Sequence, residues 1–143
     1  MRRSLVALAV LGLVTSPAFG AGDVTNGEKV FKQCQTCHLV AAPDGTVLAG
    51  RAGKTGPNLY AVVGRAAGSY PDYRYGDAII AAEKKGLVWN EDEIVKFVAD
   101  PGGFLKEFLD DSSARGKMTF KVKKEQDAHD VVAYLQSLVP PAQ

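Results

Sequence analysis

Two thiols three residues apart, followed at once by an imidazole, constrain this chain more than any other feature: Cys34-Gln35-Thr36-Cys37-His38. The arrangement reads as a c-type haem attachment site. Each thiol can form a thioether with a haem vinyl group, and His38 is then held under the porphyrin within reach of the iron. These are the only two cysteines in the chain. A disulfide is the default for a pair in an exported protein, and a redox-active CxxC is a further alternative. The latter motif usually follows a strand in an α/β pattern, which this chain lacks. Zinc needs four ligands, and the only other imidazole is His129. Haem attachment is the preferred reading, with the disulfide and metal readings as its alternatives.

The first twenty residues read separately. Arg2 and Arg3 precede an apolar and small-residue run from Leu5 to Val14, and Ser16-Pro17-Ala18-Phe19-Gly20 supplies a break and small residues. This is the pattern of a secretory signal peptide, cleaved after Gly20. A membrane anchor is the alternative, but the run is short of the roughly 20 apolar residues that span a bilayer. Residues 21–143 then form a single exported, periplasmic domain. Loss of Arg2 and Arg3 leaves 15 basic residues against 16 acidic ones, so the formal balance moves from +1 to −1. Near-neutrality argues against general nucleic-acid binding.

Along the mature chain, Thr25 with Glu28 resembles a capping box, and a helix is expected from there into the Cys34 region. Val30, Phe31 and Cys34 share a face at helical spacing. Residues Val40 to Lys54 read as loop with a short hairpin around Pro43-Asp44-Gly45, and Tyr60 to Arg74 as extended loop. Asp77 to Lys85 is a helical pattern ended by Gly86. Asn90 with Glu93 caps another helix, whose Ile94, Phe97 and Val98 share a face and which Pro101 stops. A short helix over Phe104 to Leu109 and a polar loop over Asp110 to Lys117 follow. The last helix runs from Lys124 to Leu138 with Ala128, Val131, Leu135 and Leu138 as its inner stripe. About four or five short helices with long loops make a poor domain unless something large fills the centre. A haem is large enough.

An electron-transfer haem needs a second axial ligand remote from His38. Beyond Met1 the chain holds one methionine, Met118, in polar surroundings that fit no apolar helical stripe. It is the candidate ligand, and His129 on the last helix is the rival. A thioether sulfur donates weakly and favours Fe(II); with both axial positions filled, no site is open for oxygen or peroxide. His38 needs an acceptor for its other ring nitrogen, and the Pro57 carbonyl is the candidate. The haem propionates need donors, and Arg65, Tyr75 and Trp89 are available, although Trp89 reads equally well as core. Lys117, Lys121, Lys123 and Lys124 cluster after Met118, with Lys106 before them. They form either a solvated face or a positive rim that steers an acidic partner.

At this point the chain resembles the class I c-type cytochromes, in particular bacterial cytochrome c2. The matching elements are Gly27…Phe31, Cys34 to His38, Lys54-Thr55-Gly56-Pro57-Asn58-Leu59-Tyr60, Gly64-Arg65, Tyr75-Gly76-Asp77, Trp89, Asp100-Pro101, Lys117-Met118-Thr119-Phe120 and Ala133-Tyr134-Leu135. They occur in family order and span nearly all of the mature chain. The resemblance implies the all-α cytochrome c fold around one covalently bound haem c, with first and last helices crossing at Gly27, Phe31 and Tyr134. It implies His38 and Met118 as axial ligands, Pro57 as the His38 acceptor, and Arg65, Tyr75 and Trp89 near the propionates. It makes the lysines, Lys54 included, a transient docking surface for membrane redox complexes. The donor would be a cytochrome bc complex and the acceptor a photosynthetic reaction centre or a terminal oxidase. The expected protein is a monomeric electron carrier, not an enzyme; a peroxidase-like or gas-binding haem protein and a haem-free thiol–disulfide protein are the rivals. Relative to short family members the chain is longer between His38 and Gly56 and between Pro101 and Met118. Phe97 stands where the family commonly has a Tyr whose hydroxyl lies near the ligand sulfur.

Overall fold

A computed structural model describes residues 22–51, 53 and 55–140. The leader expected over residues 1–20, and Lys54, lie outside the described residues. The order of elements is α1 (Val24–Cys34), β1 (Val40–Ala41), β2 (Val47–Ala49), α2 (Asp77–Lys84), α3 (Glu91–Ala99), α4 (Pro101–Leu109) and α5 (Glu125–Ser137). Among the described residues no helix is long and apolar enough to cross a membrane.

The expected crossing of the terminal helices is present, and it is the most extensive helix contact in the structure. A Cβ on Gly27 would run into the Asp130 carbonyl and lie 2.8 Å from Tyr134 Cβ, so only glycine lets the two backbones approach. The rings of Phe31 and Tyr134 pack beside it at 5.6 Å between centroids.

The start of α1 differs from the expected capping box. The N-cap is Asp23, whose carboxylate accepts the Asn26 N–H at 3.0 Å, and Thr25 lies inside the first turn. A carboxylate caps better than a threonine hydroxyl and suits the positive end of the helix dipole. Asp23 is held in turn by α5: its N–H donates to Asp130 Oδ1 at 2.7 Å. Asp130 also accepts from Asn26 Nδ2 at 2.7 Å and Gln126 Nε2 at 2.8 Å, and is only 2% exposed. Burial raises its pKa; those hydrogen bonds more than offset this and hold the carboxyl below its ordinary range.

The expected hairpin forms with β1 and β2 antiparallel and Gly45 at φ +88° in its turn. Asn90 caps α3 by accepting the Glu93 N–H at 2.9 Å, as expected. Helix α4, however, begins at Pro101 rather than Phe104. Asp100 caps it by accepting the Gly103 N–H at 3.1 Å, and a proline in the first turn needs no hydrogen-bond acceptor. Pro101 therefore ends one helix and starts the next. On α5 the stripe Ala128, Val131 and Leu135 is buried, joined by Val132.

The long loop after the hairpin is more ordered than its glycines suggest. Gly64 N–H donates to Trp89 O at 2.7 Å, Trp89 N–H to Arg65 O at 2.9 Å, and Ala67 N–H to Leu87 O at 2.9 Å. This short antiparallel pairing fixes Arg65 and Trp89 on one wall of the interior.

Candidate haem site

The attachment motif sits at the end of α1, where the helix gives way to a turn. His38 N–H and Cys37 N–H both donate to Cys34 O, at 2.9 and 3.1 Å. The turn carries His38 back beneath the helix and against the following loop. That loop is shaped by glycine. A Cβ on Gly53 would lie 2.6 Å from the Cys37 carbonyl carbon, and one on Gly56 would collide with the His38 ring. No β-carbon fits at either point, so the loop lies flat against the histidine.

His38 Nδ1 is 2.9 Å from the Pro57 carbonyl oxygen. A carbonyl can only accept, so Nδ1 carries the proton and the Nε2 lone pair is free, the tautomer a metal ligand needs. Burial pushes the His38 pKa down, with the Pro57 hydrogen bond partly opposing it, so the ring stays neutral at neutral pH. The Pro57 segment is anchored by a residue the sequence reading missed. The Asn58 side chain accepts the N–H groups of Ala41 and Tyr60, at 3.0 and 2.9 Å, and donates to Ala41 O at 2.8 Å. An asparagine after proline, able to close an Asx turn, was the local signal.

His38, Pro57 and Cys34 line one cavity. The same cavity is lined by Met118, Arg65, Tyr75 and Trp89, so the structure gathers these residues from separate loops and elements around one space. Most of its remaining wall is apolar, including Phe31, Leu59, Ile79, Ile94 and Leu135, and Lys117 also lines it. Tyr73, which the sequence reading passed over, lines it as well. Cys37 is exposed and is not among the lining residues. His129 does not line the cavity; its Nδ1 is 3.3 Å from Glu91 Oε1 across the α3–α5 packing. It is half-buried against that partner.

The residues fit a haem. Cys34 and Cys37 are both free thiols. Burial, and secondarily the neighbouring Cys37, push the Cys34 pKa up to about 11, the opposite of the depressed value of a redox-active CxxC. No three His, Cys, Asp or Glu side chains cluster as a metal site among the described residues. Donors for two propionates are in place. Arg65 spends NH1 on Tyr60 O and NH2 on Asn58 O, both at 2.9 Å, which leaves further N–H groups of the guanidinium. The Tyr75 hydroxyl accepts the Tyr70 N–H at 3.3 Å and keeps its own proton to donate. Trp89 does both things its residue type allowed. It packs on Phe97 at 4.9 Å between centroids, as core, and it lines the cavity.

Comparison with known proteins agrees with this geometry. No protein-family model matches the chain. It is 58% identical to cytochrome c2 of Fuscovulum blasticum over 119 residues, covering 83% of this chain and 75% of that one. It is 51% identical to cytochrome c2 of Rhodobacter capsulatus over 140 residues, 97% of this chain and 99% of that one. The chain belongs to the class I c-type cytochromes, of the c2 type. The crystal structure of cytochrome c2 from Rhodobacter sphaeroides superposes with a TM-score of 0.81 at 54% identity, covering 84% of this chain and 99% of that one. As a c2-type cytochrome the protein carries one covalently bound haem c and is an electron carrier rather than an enzyme.

The lysines around Met118, Lys106, Lys117, Lys121, Lys123 and Lys124, are all exposed. Two of them are engaged within the chain: Lys121 pairs with Asp100 at 2.8 Å, and Lys117 Nζ donates to Arg74 O. Phe120 stands among them, 40% exposed.

Proposed function

We propose that this cytochrome carries single electrons in the periplasm, from a cytochrome bc complex to a photosynthetic reaction centre or a terminal oxidase. His38 and Met118 are its axial iron ligands, and Cys34 and Cys37 hold the haem as thioethers. The observation that carries the reading is the His38–Pro57 hydrogen bond. It leaves Nε2 as a neutral donor in a cavity that Met118 also lines.

The haem supplies reversible one-electron exchange between Fe(III) and Fe(II). The chain's residues do the rest. Pro57 fixes the ring orientation of His38, and the Met118 thioether favours the reduced iron. Arg65, Tyr75 and Trp89 hold the propionates, and the apolar walls exclude water. With His38 and Met118 both holding the iron, the chain would need little rearrangement for electron transfer. The exposed lysines Lys106, Lys123 and Lys124 set a positive rim at which a partner docks transiently. No substrate bond is made or broken.

Flash oxidation by a purified reaction centre, and mixing with a purified oxidase, test the assignment across ionic strength. The expected result is fast oxidation by at least one of them, slowing as salt screens the lysines. Oxidation by neither, or a rate indifferent to salt, overturns the partner and docking assignments.

A further inference from the structure

The His38–Pro57 hydrogen bond lies inside a short zipper between two stretches of chain. Gly56 N–H donates to Cys37 O at 2.8 Å on one side of it, and Leu59 N–H to Leu39 O at 3.0 Å on the other. Strand β1 follows, paired along one edge with β2. At Ala41 its backbone turns the other way, toward the 57–59 segment, and there a side chain stands in for a strand. Asn58 Oδ1 accepts the Ala41 N–H at 3.0 Å, and Asn58 Nδ2 donates to Ala41 O at 2.8 Å.

The remaining capacity of that amide is also spent. Oδ1 accepts the Tyr60 N–H at 2.9 Å, and Nδ2 donates its second proton to the Tyr70 hydroxyl at 3.0 Å. An amide oxygen has two lone pairs and its nitrogen two N–H groups, so all four are used. The backbone N–H groups of Ala41 and Tyr60 can only donate, so the atom they share must be the oxygen. Chemistry thereby fixes the orientation of the amide, and a group bonded on four sides has one place to be. Asn58 therefore holds the backbone immediately after Pro57 against the backbone three residues beyond His38.

We propose that Asn58 is a positioning residue for His38: its amide holds the Pro57 carbonyl on the His38 ring N–H and so sets how strongly that ring donates to the iron. The inference rests on His38 being an iron ligand, as proposed above. A hydrogen bond at Nδ1 puts electron density on the ring and raises the basicity of Nε2. A more basic nitrogen favours Fe(III) over Fe(II). Loosening the Pro57 carbonyl therefore weakens the donor and moves the equilibrium toward Fe(II). Asn58 is not among the residues that line the cavity and acts through the carbonyl it holds.

The experiment is proton NMR of the ferrous holoprotein, reading exchange of the His38 ring N–H with solvent, alongside equilibrium redox titration. Asn58→Ala is expected to quicken that exchange about tenfold. It should also shift the iron equilibrium about threefold toward Fe(II), a rise of about 30 mV at about 59 mV per tenfold for one electron. Asn58→Ser keeps a hydroxyl that can close the turn to Tyr60 but cannot bridge to Ala41, and should behave as Asn58→Ala does. Asn58→Asp, which keeps both accepting bonds, should quicken exchange only about threefold. Asp130→Ala, which weakens the fold at the α1–α5 crossing, is the stability control and should leave both readings within about twofold of the parent. A parent whose His38 ring protons lack the upfield shift of a haem-bound imidazole overturns the ligand assignment and this inference with it. A parent showing that shift, with Asn58→Ala within about twofold of it in exchange or matched by Asp130→Ala, overturns the role of Asn58 alone. Quicker exchange with an unmoved potential does the same.

Discussion

Asp130 Oδ1 accepts the backbone N–H of Asp23 at 2.7 Å, joining the last helix to the N-cap of the first across 107 positions of sequence. The same carboxylate takes hydrogen bonds from Asn26 and Gln126. Buried and triply bonded, it ties α1 to α5 at the end away from the Phe31–Tyr134 contact. Asp130→Ala removes the shared acceptor of three donors, of which Asn26 Nδ2 keeps Asp127 Oδ1 and the other two belong to exposed residues, and we expect a loss of about 1–2 kcal/mol in denaturant unfolding. Asp130→Asn keeps one acceptor oxygen and should cost less.

The same carboxylate makes a pH prediction. Its pKa is lower folded than unfolded, despite the opposing effect of burial. Its contribution is therefore fully present above the unfolded value of about 3.9 and is lost as pH falls through the lower folded value. Acid unfolding of Asp130→Asn should show a shallower decline of stability below about pH 4 than the parent, measured by circular dichroism against denaturant.

Gly56 and Gly64 offer a matched pair of glycine tests. A Cβ on Gly56 collides with the His38 ring, whereas one on Gly64 meets nothing within 4 Å but must adopt φ +88°. Gly64→Ala should cost about 1–2 kcal/mol of backbone strain and leave the haem spectrum alone. Gly56→Ala should cost about 1–3 kcal/mol by overpacking and also displace His38, shifting the reduction potential and the haem visible spectrum. Equal spectra in the two variants would refute the close packing of Gly56 on His38.

What could be read in the sequence was local or unique in kind. Cys34 to His38 is a contiguous motif, Asn90 and Glu93 cap a helix within one turn, and Met118 is the one sulfur donor left beyond Met1. Pro57 was legible because proline keeps a carbonyl while lacking an N–H. The features that escaped depend on partners far away. Asp23 outcompetes Thr25 as the α1 cap while Asp130 holds it in place, and Asp130 looked like one more polar residue on a surface helix. Pro101 was legible as a stop, but its role as a start rests on the Asp100 side chain turning back to Gly103. Tyr73 gives no signal until the fold brings it to the cavity.

Asp100→Asn separates the docking lysines from a merely solvated face. Asp100 neutralises Lys121 at 2.8 Å and is exposed, so its removal frees a cation on the proposed rim. Asparagine caps α4 as well as aspartate does, so the helix should survive. If the rim docks partners, low-salt oxidation by the partner should quicken about two- to threefold, and the gain should vanish at high salt. Slower oxidation with an unchanged fold would count against the rim.

Phe97 is the departure with the most direct bearing on the iron. It lines the cavity together with Met118, and its ring is fixed by Trp89 at 4.9 Å and by Phe104 edge-on at 5.7 Å. That packing sets where a hydroxyl on the ring would point, so Phe97→Tyr adds a donor without repacking the wall. A hydrogen bond to the Met118 sulfur would draw electron density from it. The sulfur then donates less to the iron, which disfavours Fe(III) and raises the potential. For a net bond of about 0.5–1 kcal/mol the expected rise is about 20–40 mV. Equilibrium redox titration measures it, and the pH at which the sulfur-to-iron charge-transfer band disappears reports the accompanying change in ligand stability. A potential and a ligand-exchange midpoint both unchanged from the parent would show that the hydroxyl does not reach the sulfur.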